Sequence, residues 1–220
     1  MREKLGSLLF GGSCFLCRGA AEELLCPQCD ADLPRLDYAL CPRCALPSPG
    51  GAICGRCLTE KPAYDATRAA LAYDFPADAL VHALKFRGEL ALAPFLGKLL
   101  GQSLGADRVD CIVAVPLSPR RLRERGYNQA VEIARHLGRP GLDVALCERT
   151  RDSRPQMELP FEERQRNVRG AFRCTRSLLG ARVAVVDDVM TTGATLNELA
   201  RTLKDAGAVH VSNWVVTRAL

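Results

Sequence analysis

Apolar residues along this chain change their rhythm near residue 60. Beyond that point, residues 67–73 read as a strand, while residues 77–86 place Leu80, Ala83 and Leu84 at helical spacing on one face. A second helix is expected over 90–104, after the Arg87-Gly88 break. Residues 111–115 form a short continuous apolar run, the pattern of a strand covered on both faces, and Pro116 ends it. Helical spacing returns over 128–137, and 142–147 again reads as a strand. Residues 149–170 hold many charges, two prolines and no sustained period, which predicts a long loop. A buried strand over 182–186, a helix over 194–206 ended by Gly207, and a strand over 209–216 complete the series. Such alternation predicts an α/β fold, a parallel sheet with helices on both faces.

Before residue 60 the pattern is replaced by Pro, Gly and eight of the eleven cysteines. The change falls within 59–62, so a Cys-rich module over 1–60 is expected to precede an α/β domain over 61–220. The cysteines stand as four C-x2-C pairs: Cys14 with Cys17, Cys26 with Cys29, Cys41 with Cys44, and Cys54 with Cys57. Each pair turns two thiolates toward one point, and two pairs complete a tetrahedral zinc site. Eight ligands permit one or two Zn2+, with neighbouring or interleaved pairs sharing an ion. A segment this short and poor in large apolar residues needs such a metal to fold. No run approaches the ~20 apolar residues of a membrane span, so the chain is expected in the cytoplasm, where thiols stay reduced and bind metal rather than form disulfides. Cys111, Cys147 and Cys174 lie in or beside apolar runs and read as packed residues.

The net charge of +5 is concentrated. Residues 1–61 hold seven basic and seven acidic side chains, whereas 118–176 hold fourteen Arg against eight Asp and Glu. Guanidinium forks suit phosphate, although a solvated helix face with i,i+4 pairs would carry the same residues. His82, His136 and His210 are isolated and take no role; Trp214 reads as core.

The stretch richest in chemistry is Val183-Ala-Val-Val-Asp187-Asp188-Val-Met-Thr191-Thr192-Gly193-Ala194-Thr195. Four apolar residues bring a strand to the carboxyl edge of the sheet, where open α/β sheets bind ligands. Gly193 permits close backbone approach, N–H groups at the following helix start point toward an anion, and the threonine hydroxyls add donors. Asp187 and Asp188 suit the vicinal hydroxyls of a ribose. A phosphate a few ångströms from two such hydroxyls is a ribose 5-phosphate. An ordinary helix cap is the competing explanation. The chain has neither a GxGxxG fingerprint nor a Walker loop.

These thirteen residues resemble the phosphoribosyl-diphosphate signature of type I phosphoribosyltransferases at every position. The resemblance extends to the ComF family of bacterial competence proteins, including the GntX-like proteins. It rests on the paired C-x2-C motifs, Leu84-Lys85-Phe86-Arg87-Gly88, Val115-Pro116-Leu117-Ser118 leading to Arg125-Gly126-Tyr127-Asn128-Gln129, and the segment 164–172. It implies a type I phosphoribosyltransferase-like sheet flanked by helices behind an N-terminal double zinc ribbon. It also implies a role in DNA uptake and natural transformation, with incoming single-stranded DNA and DNA-processing proteins as partners.

In the resembling fold the diphosphate sits on a loop after an earlier strand, here 116–120, which brings in Ser118; of the nearby Arg120, Arg121, Arg123 and Arg125, not all of which can face it together, Arg120 and Arg125 are the choices. Mg2+ would accompany the diphosphate, with Asp187 and Asp188 acting through its waters. A mobile loop closing over the site corresponds to 149–167, where Arg149, Gln156, Arg164 and Asn167 match recurring positions. Three functions fit: a phosphoribosyltransferase of unknown acceptor, a zinc-ribbon adaptor for single-stranded DNA or protein, and a sensor of 5-phosphoribosyl diphosphate. The chain has only twelve Phe, Trp and Tyr, which weighs against extensive base stacking.

Overall fold

The computed structural model describes residues 12–105, 107–151 and 168–220. The Cys-rich segment begins with a short hairpin, β1 (Gly12–Ser13) and β2 (Ala20–Ala21), followed by helices α1 (Pro27–Ala31) and α2 (Gly55–Glu60). Beyond it run β3 (Ala66–Ala72), α3 (Ala77–Phe86), α4 (Leu92–Ser103), β4 (Cys111–Ala114), α5 (Pro119–Arg125) and α6 (Gln129–Arg135). The chain ends with β5 (Cys147–Arg149), β6 (Phe172–Cys174), β7 (Arg182–Met190), α7 (Ala194–Asp205) and β8 (His210–Arg218).

Four strands make a parallel sheet in the order β3-β8-β7-β4. Strands buried on both faces need apolar residues at every position, and β4 and the first half of β7 supply them. One face packs Ile112, Ala184, Val186 and Trp214 against α3, α4 and α6; the other packs Val113, Val185 and Val215 against α7. Trp214 is fully buried, as expected. Helices α4 and α6 approach closely because Gly97 has no side chain: a Cβ there would lie 2.6 Å from the Ile133 carbonyl.

The expected strand over 142–147 does not form. Leu142 makes a single parallel bridge to Ile112. The Asp143 carboxylate then accepts from the Ala145 N–H at 3.0 Å and pairs with Arg176 at 2.9 Å, turning the chain away and leaving Val144 exposed. A strand follows later as β5, antiparallel to β6. These two bracket part of the expected loop, of which Gln156, Arg164 and Asn167 lie outside the described residues.

The Cys-rich segment wraps the edge strand β3. Thr67 N–H donates to the Pro42 carbonyl at 3.0 Å and Ala72 N–H to the Pro34 carbonyl at 2.8 Å, satisfying backbone groups that an open edge would leave bare.

Candidate functional site

Both zinc centres are built from neighbouring pairs. Cys14, Cys17, Cys26 and Cys29 form one group and Cys41, Cys44, Cys54 and Cys57 the other, each with all four sulfurs within 4.8 Å of one another. A tetrahedron with Zn–S bonds of ~2.3 Å has edges of about 3.8 Å. The Sγ separations of 3.8 Å for Cys17 and Cys26 and 3.6 Å for Cys44 and Cys54 fit it. Backbone N–H groups also favour thiolate. Those of Cys17 above all, with Cys26 and Leu16, draw the Cys14 thiol down to about 6 against the opposing effect of burial. At Cys41 burial acts upward, but N–H donors from Cys54, Cys44 and Arg43 outweigh it and bring the thiol down to about 6. These are two structural zinc sites, each with four cysteine ligands. Cys111 and Cys147 are buried in the sheet domain and Cys174 is partly buried, outside either group.

At the carboxyl edge of the sheet, β4 and β7 are neighbours, and the Val115 N–H donates to the Val186 carbonyl at 2.9 Å. The segments 116–120 and 187–195 therefore emerge side by side. The strand carrying the acids is longer than the apolar run suggests: β7 continues to Met190 because β8 pairs with it as far as Arg218. Asp187 and Asp188 thus lie within a strand, not beyond its end, and have different neighbours. Asp188 is buried, with its Oδ2 2.9 Å from Nζ of Lys85, which α3 delivers from its last turn. Asp187 is half-buried, and its Oδ1 accepts from the Asp188 N–H at 2.9 Å.

Desolvation, reinforced by the Asp188 charge and opposed by Lys85, raises the Asp187 carboxyl well above the ordinary carboxylate range. The native state consequently holds more protons than the unfolded chain between the two Asp187 pKa values. This contribution to stability is complete below the unfolded value and declines as pH rises through the folded one. We expect Asp187→Asn to flatten that decline. Thermal unfolding of both ligand-free proteins from about pH 5.5 upward, where the zinc sites stay loaded, should show the variant gaining on the wild type with rising pH.

After β7 the chain turns through Thr191, Thr192 and Gly193 into α7. Gly193 has φ +82°, so glycine is favoured by conformation, and a Cβ there would also press on the Met190 Cε at 2.7 Å and the Tyr64 hydroxyl at 3.1 Å, which would have to shift. Thr192 Oγ1 accepts from the Ala194 N–H at 3.2 Å; Thr191 and Thr195 are half-buried at the same turn.

Ser118 is buried and caps α5, accepting from the Arg121 N–H at 3.3 Å. Arg120 pairs with Glu124 at 3.0 Å on the surface. Arg125 is held on two sides, by the Gln129 side-chain oxygen and by the ring of Phe86, 5.4 Å from its centroid. The Arg125-Gly126-Tyr127-Asn128-Gln129 motif is largely a scaffold. Gly126 ends α5 in a left-handed conformation, and the Tyr127 hydroxyl donates to the Leu84 carbonyl. Asn128 donates to the Val115 carbonyl at 3.0 Å while capping α6 through the Ala130 N–H at 2.9 Å.

Two residues of the site were not singled out by their sequence context. Lys85 stands in a motif whose helical position gives no hint of a partner a hundred residues away. Arg218, at the end of β8, is 1% exposed. Its guanidinium donates to the carbonyls of Cys44 at 2.8 Å, Met190 at 2.9 Å and Ala219 at 2.5 Å, and to that of Thr191. It therefore joins the second zinc site to the threonine turn.

Comparison with known proteins agrees with this architecture. Residues 5–58 match the double zinc ribbon domain family and residues 122–218 the phosphoribosyl transferase domain family. The chain is 34% identical to DNA utilization protein YhgH of Escherichia coli, over 95% of this chain and 98% of that one. The Salmonella typhimurium protein of the same name is 36% identical over 95% and 98%. Competence protein F of Haemophilus influenzae is 31% identical over 96% and 98%. With both domain families in the same order and relatives matched from end to end, the chain belongs to the ComF family of competence and DNA utilization proteins, as a phosphoribosyltransferase-like member with an N-terminal double zinc ribbon.

Proposed function

We propose that this protein binds 5-phosphoribosyl diphosphate, or a ribonucleotide 5′-phosphate, at the carboxyl edge of its sheet and acts there in the handling of incoming single-stranded DNA in the cytoplasm. In this reading the module over 1–60 and the domain over 61–220 are its two working parts. Residues 191–195 hold the 5′-phosphate through backbone N–H groups and the hydroxyls of Thr191, Thr192 and Thr195, with Gly193 and Ala194 leaving room for it. Asp187 faces the ribose, with the buried, Lys85-paired Asp188 beside it. Ser118, Arg120 and Arg125 lie on the side where the diphosphate extends. Mg2+ would neutralise part of the diphosphate charge, and the half-buried Asp187 is the carboxylate best placed to meet its waters. A site of this kind suits transfer of the ribosyl 5-phosphate with release of diphosphate.

The observation that carries the reading is the convergence of β4, β7 and the end of α3 on one sheet edge, where an ion-paired Asp188 leaves Asp187 as the more open acid. Calorimetric titration of the zinc-loaded protein with 5-phosphoribosyl diphosphate and Mg2+ tests it. The Asp187→Ala/Asp188→Ala double variant should show no binding. Because Asp188 also neutralises Lys85, Asp187→Asn is the cleaner control. Losing hydrogen bonds between a charged group and ribose hydroxyls should weaken affinity about 10- to 150-fold with the fold intact. Wild-type affinity in Asp187→Asn and in the double variant would remove the ligand from this edge.

A further inference from the structure

Phe15, Tyr73, Phe75 and Phe86 are gathered on one side of the molecule. A cavity of about 400 Å³ lies between the first zinc site and α3, lined by Phe15, Arg18, Tyr73, Phe75, His82 and Arg87 among others. Phe75 is 73% exposed and Phe86, one helical turn beyond His82, is 60% exposed. The His82 and Phe86 rings lie 4.8 Å apart, centroid to centroid. A guanidinium covers a ring at each end of this strip: Arg18 stands 5.5 Å from the Phe15 centroid and Arg125 5.4 Å from that of Phe86. Asp78 is the acid in the lining, and its carboxylate is engaged by the Ala79 N–H at 2.7 Å. Nearby Asp74 is similarly held by the Phe75 N–H at 2.8 Å.

Large exposed rings are costly in water unless a partner covers them, and the arginines bordering them show what kind of partner suits them. The exposed rings of Phe75 and Phe86, bordered by the guanidiniums of Arg18, Arg87 and Arg125, match a chain of unpaired bases and phosphates, the bases stacking and the phosphates neutralised. A duplex cannot use such a surface, because its base faces are already stacked. We propose that this strip, from Phe15 across Phe75 and His82 to Phe86 and Arg125, is a docking surface for single-stranded DNA. The identity of the nucleic acid rests on the DNA-handling role proposed above; the location of the surface rests on the geometry alone.

Two features give the surface a direction. Phe15 lies between the ligands Cys14 and Cys17, so the first zinc fixes one end of it. At the other end, Phe86 follows Lys85, whose ammonium pairs with Asp188. Successive helical residues point about 100° apart, so α3 offers an outward ring and an inward cation at adjacent positions. A strand lying on the surface would run up to the phosphoribosyl edge.

Fluorescence anisotropy with a labelled oligothymidylate of about 15 nucleotides, within the range of single-strand site sizes, tests the inference on the full, zinc-loaded chain. Phe75→Ala should weaken binding about tenfold, and Phe75→Trp should restore it. Arg18→Gln/Arg87→Gln should weaken binding and flatten its salt dependence by roughly one to two phosphate contacts, whereas Phe75→Ala should leave that dependence unchanged. Unlabelled duplex of the same sequence should compete poorly. Equal binding by wild type and the Phe75 and arginine variants would overturn the surface while leaving the DNA role standing. Wild-type protein that binds 5-phosphoribosyl diphosphate but no oligonucleotide would overturn both. Self-association abolished by Phe75→Ala, without oligonucleotide binding, would assign the strip to a second copy of this chain and overturn the inference.

Discussion

Stripping zinc from the chain with a thiol-competing chelator should proceed in two steps of unequal consequence, the first tolerated and the second destroying ligand binding together with the fold. The two tetrathiolate sites differ in access. Cys17 is exposed and Cys29 partly so, while Cys41, Cys44 and Cys57 are 0%, 0% and 2% exposed. The first site should therefore release its ion sooner. Its loss disturbs the hairpin β1–β2 and the cluster that Cys14, Leu25, Cys26 and Leu33 share with α3 and α4, away from the threonine turn.

The second site sits in the same apolar cluster as Val185, Leu199 and Val215, at the centre of the other sheet face. Its segment also supplies the Pro42 and Arg43 carbonyls to Thr67 and the Cys44 carbonyl to Arg218. Structural zinc contributes on the order of 10–16 kcal/mol in small zinc-folded peptides, as much as a whole domain's net stability of about 5–15 kcal/mol. Chromogenic detection of released zinc, with calorimetry at the half-released point, is the check. Binding retained after one ion and lost after two is the expected outcome. Parallel loss from the first ion onward would mean that the sites are not independent.

Arg218→Met should be the most damaging single substitution in the sheet domain outside the zinc ligands. The guanidinium is buried and its four acceptors are all backbone carbonyls, so among the described residues no carboxylate neutralises it. The nearest compensating charge is the second zinc centre, since Zn2+ with four thiolates carries a net charge of −2. Removing the guanidinium strands the Cys44 and Thr191 carbonyls away from water, each at about 1–3 kcal/mol. The expected total of roughly 3–5 kcal/mol corresponds to a fall in Tm of about 6–20 °C for a chain of this size.

Arg218→Lys should recover little, because one ammonium cannot span carbonyls from two modules. Ligand affinity should fall further than stability alone explains, since Met190 precedes and Thr191 opens the threonine turn. Thermal unfolding together with calorimetry under conditions where the variant is folded separates the two effects. A variant with wild-type Tm would show that the carbonyls find other donors.

Legibility in the sequence followed the range of the forces involved. The apolar periods placed α3 over 77–86 as found, and located β3, β4, α4, α7 and β8 to within a few residues, because burial of one face or two is written locally. Four C-x2-C pairs announced tetrathiolate metal sites, since two residues of spacing set two thiolates on one turn. The order of acids, threonines and glycine after a buried strand was likewise local, and so was the family resemblance that the comparisons bear out.

What the tertiary structure decided depends on groups distant in sequence. The sharing of each ion by neighbouring pairs follows from the path of the chain between them. The extra length of β7, which draws Asp187 and Asp188 into the sheet, is imposed by pairing with β8. The failed strand over 142–147 reflects an Asp143 to Arg176 pair 33 residues apart in sequence. Lys85 meets Asp188, and Arg218 meets Cys44, only after the sheet has closed. Local composition fixes which elements can form and which chemistry they can offer, whereas the meeting of charged groups across a folded sheet is a long-range electrostatic outcome that no window of the sequence contains.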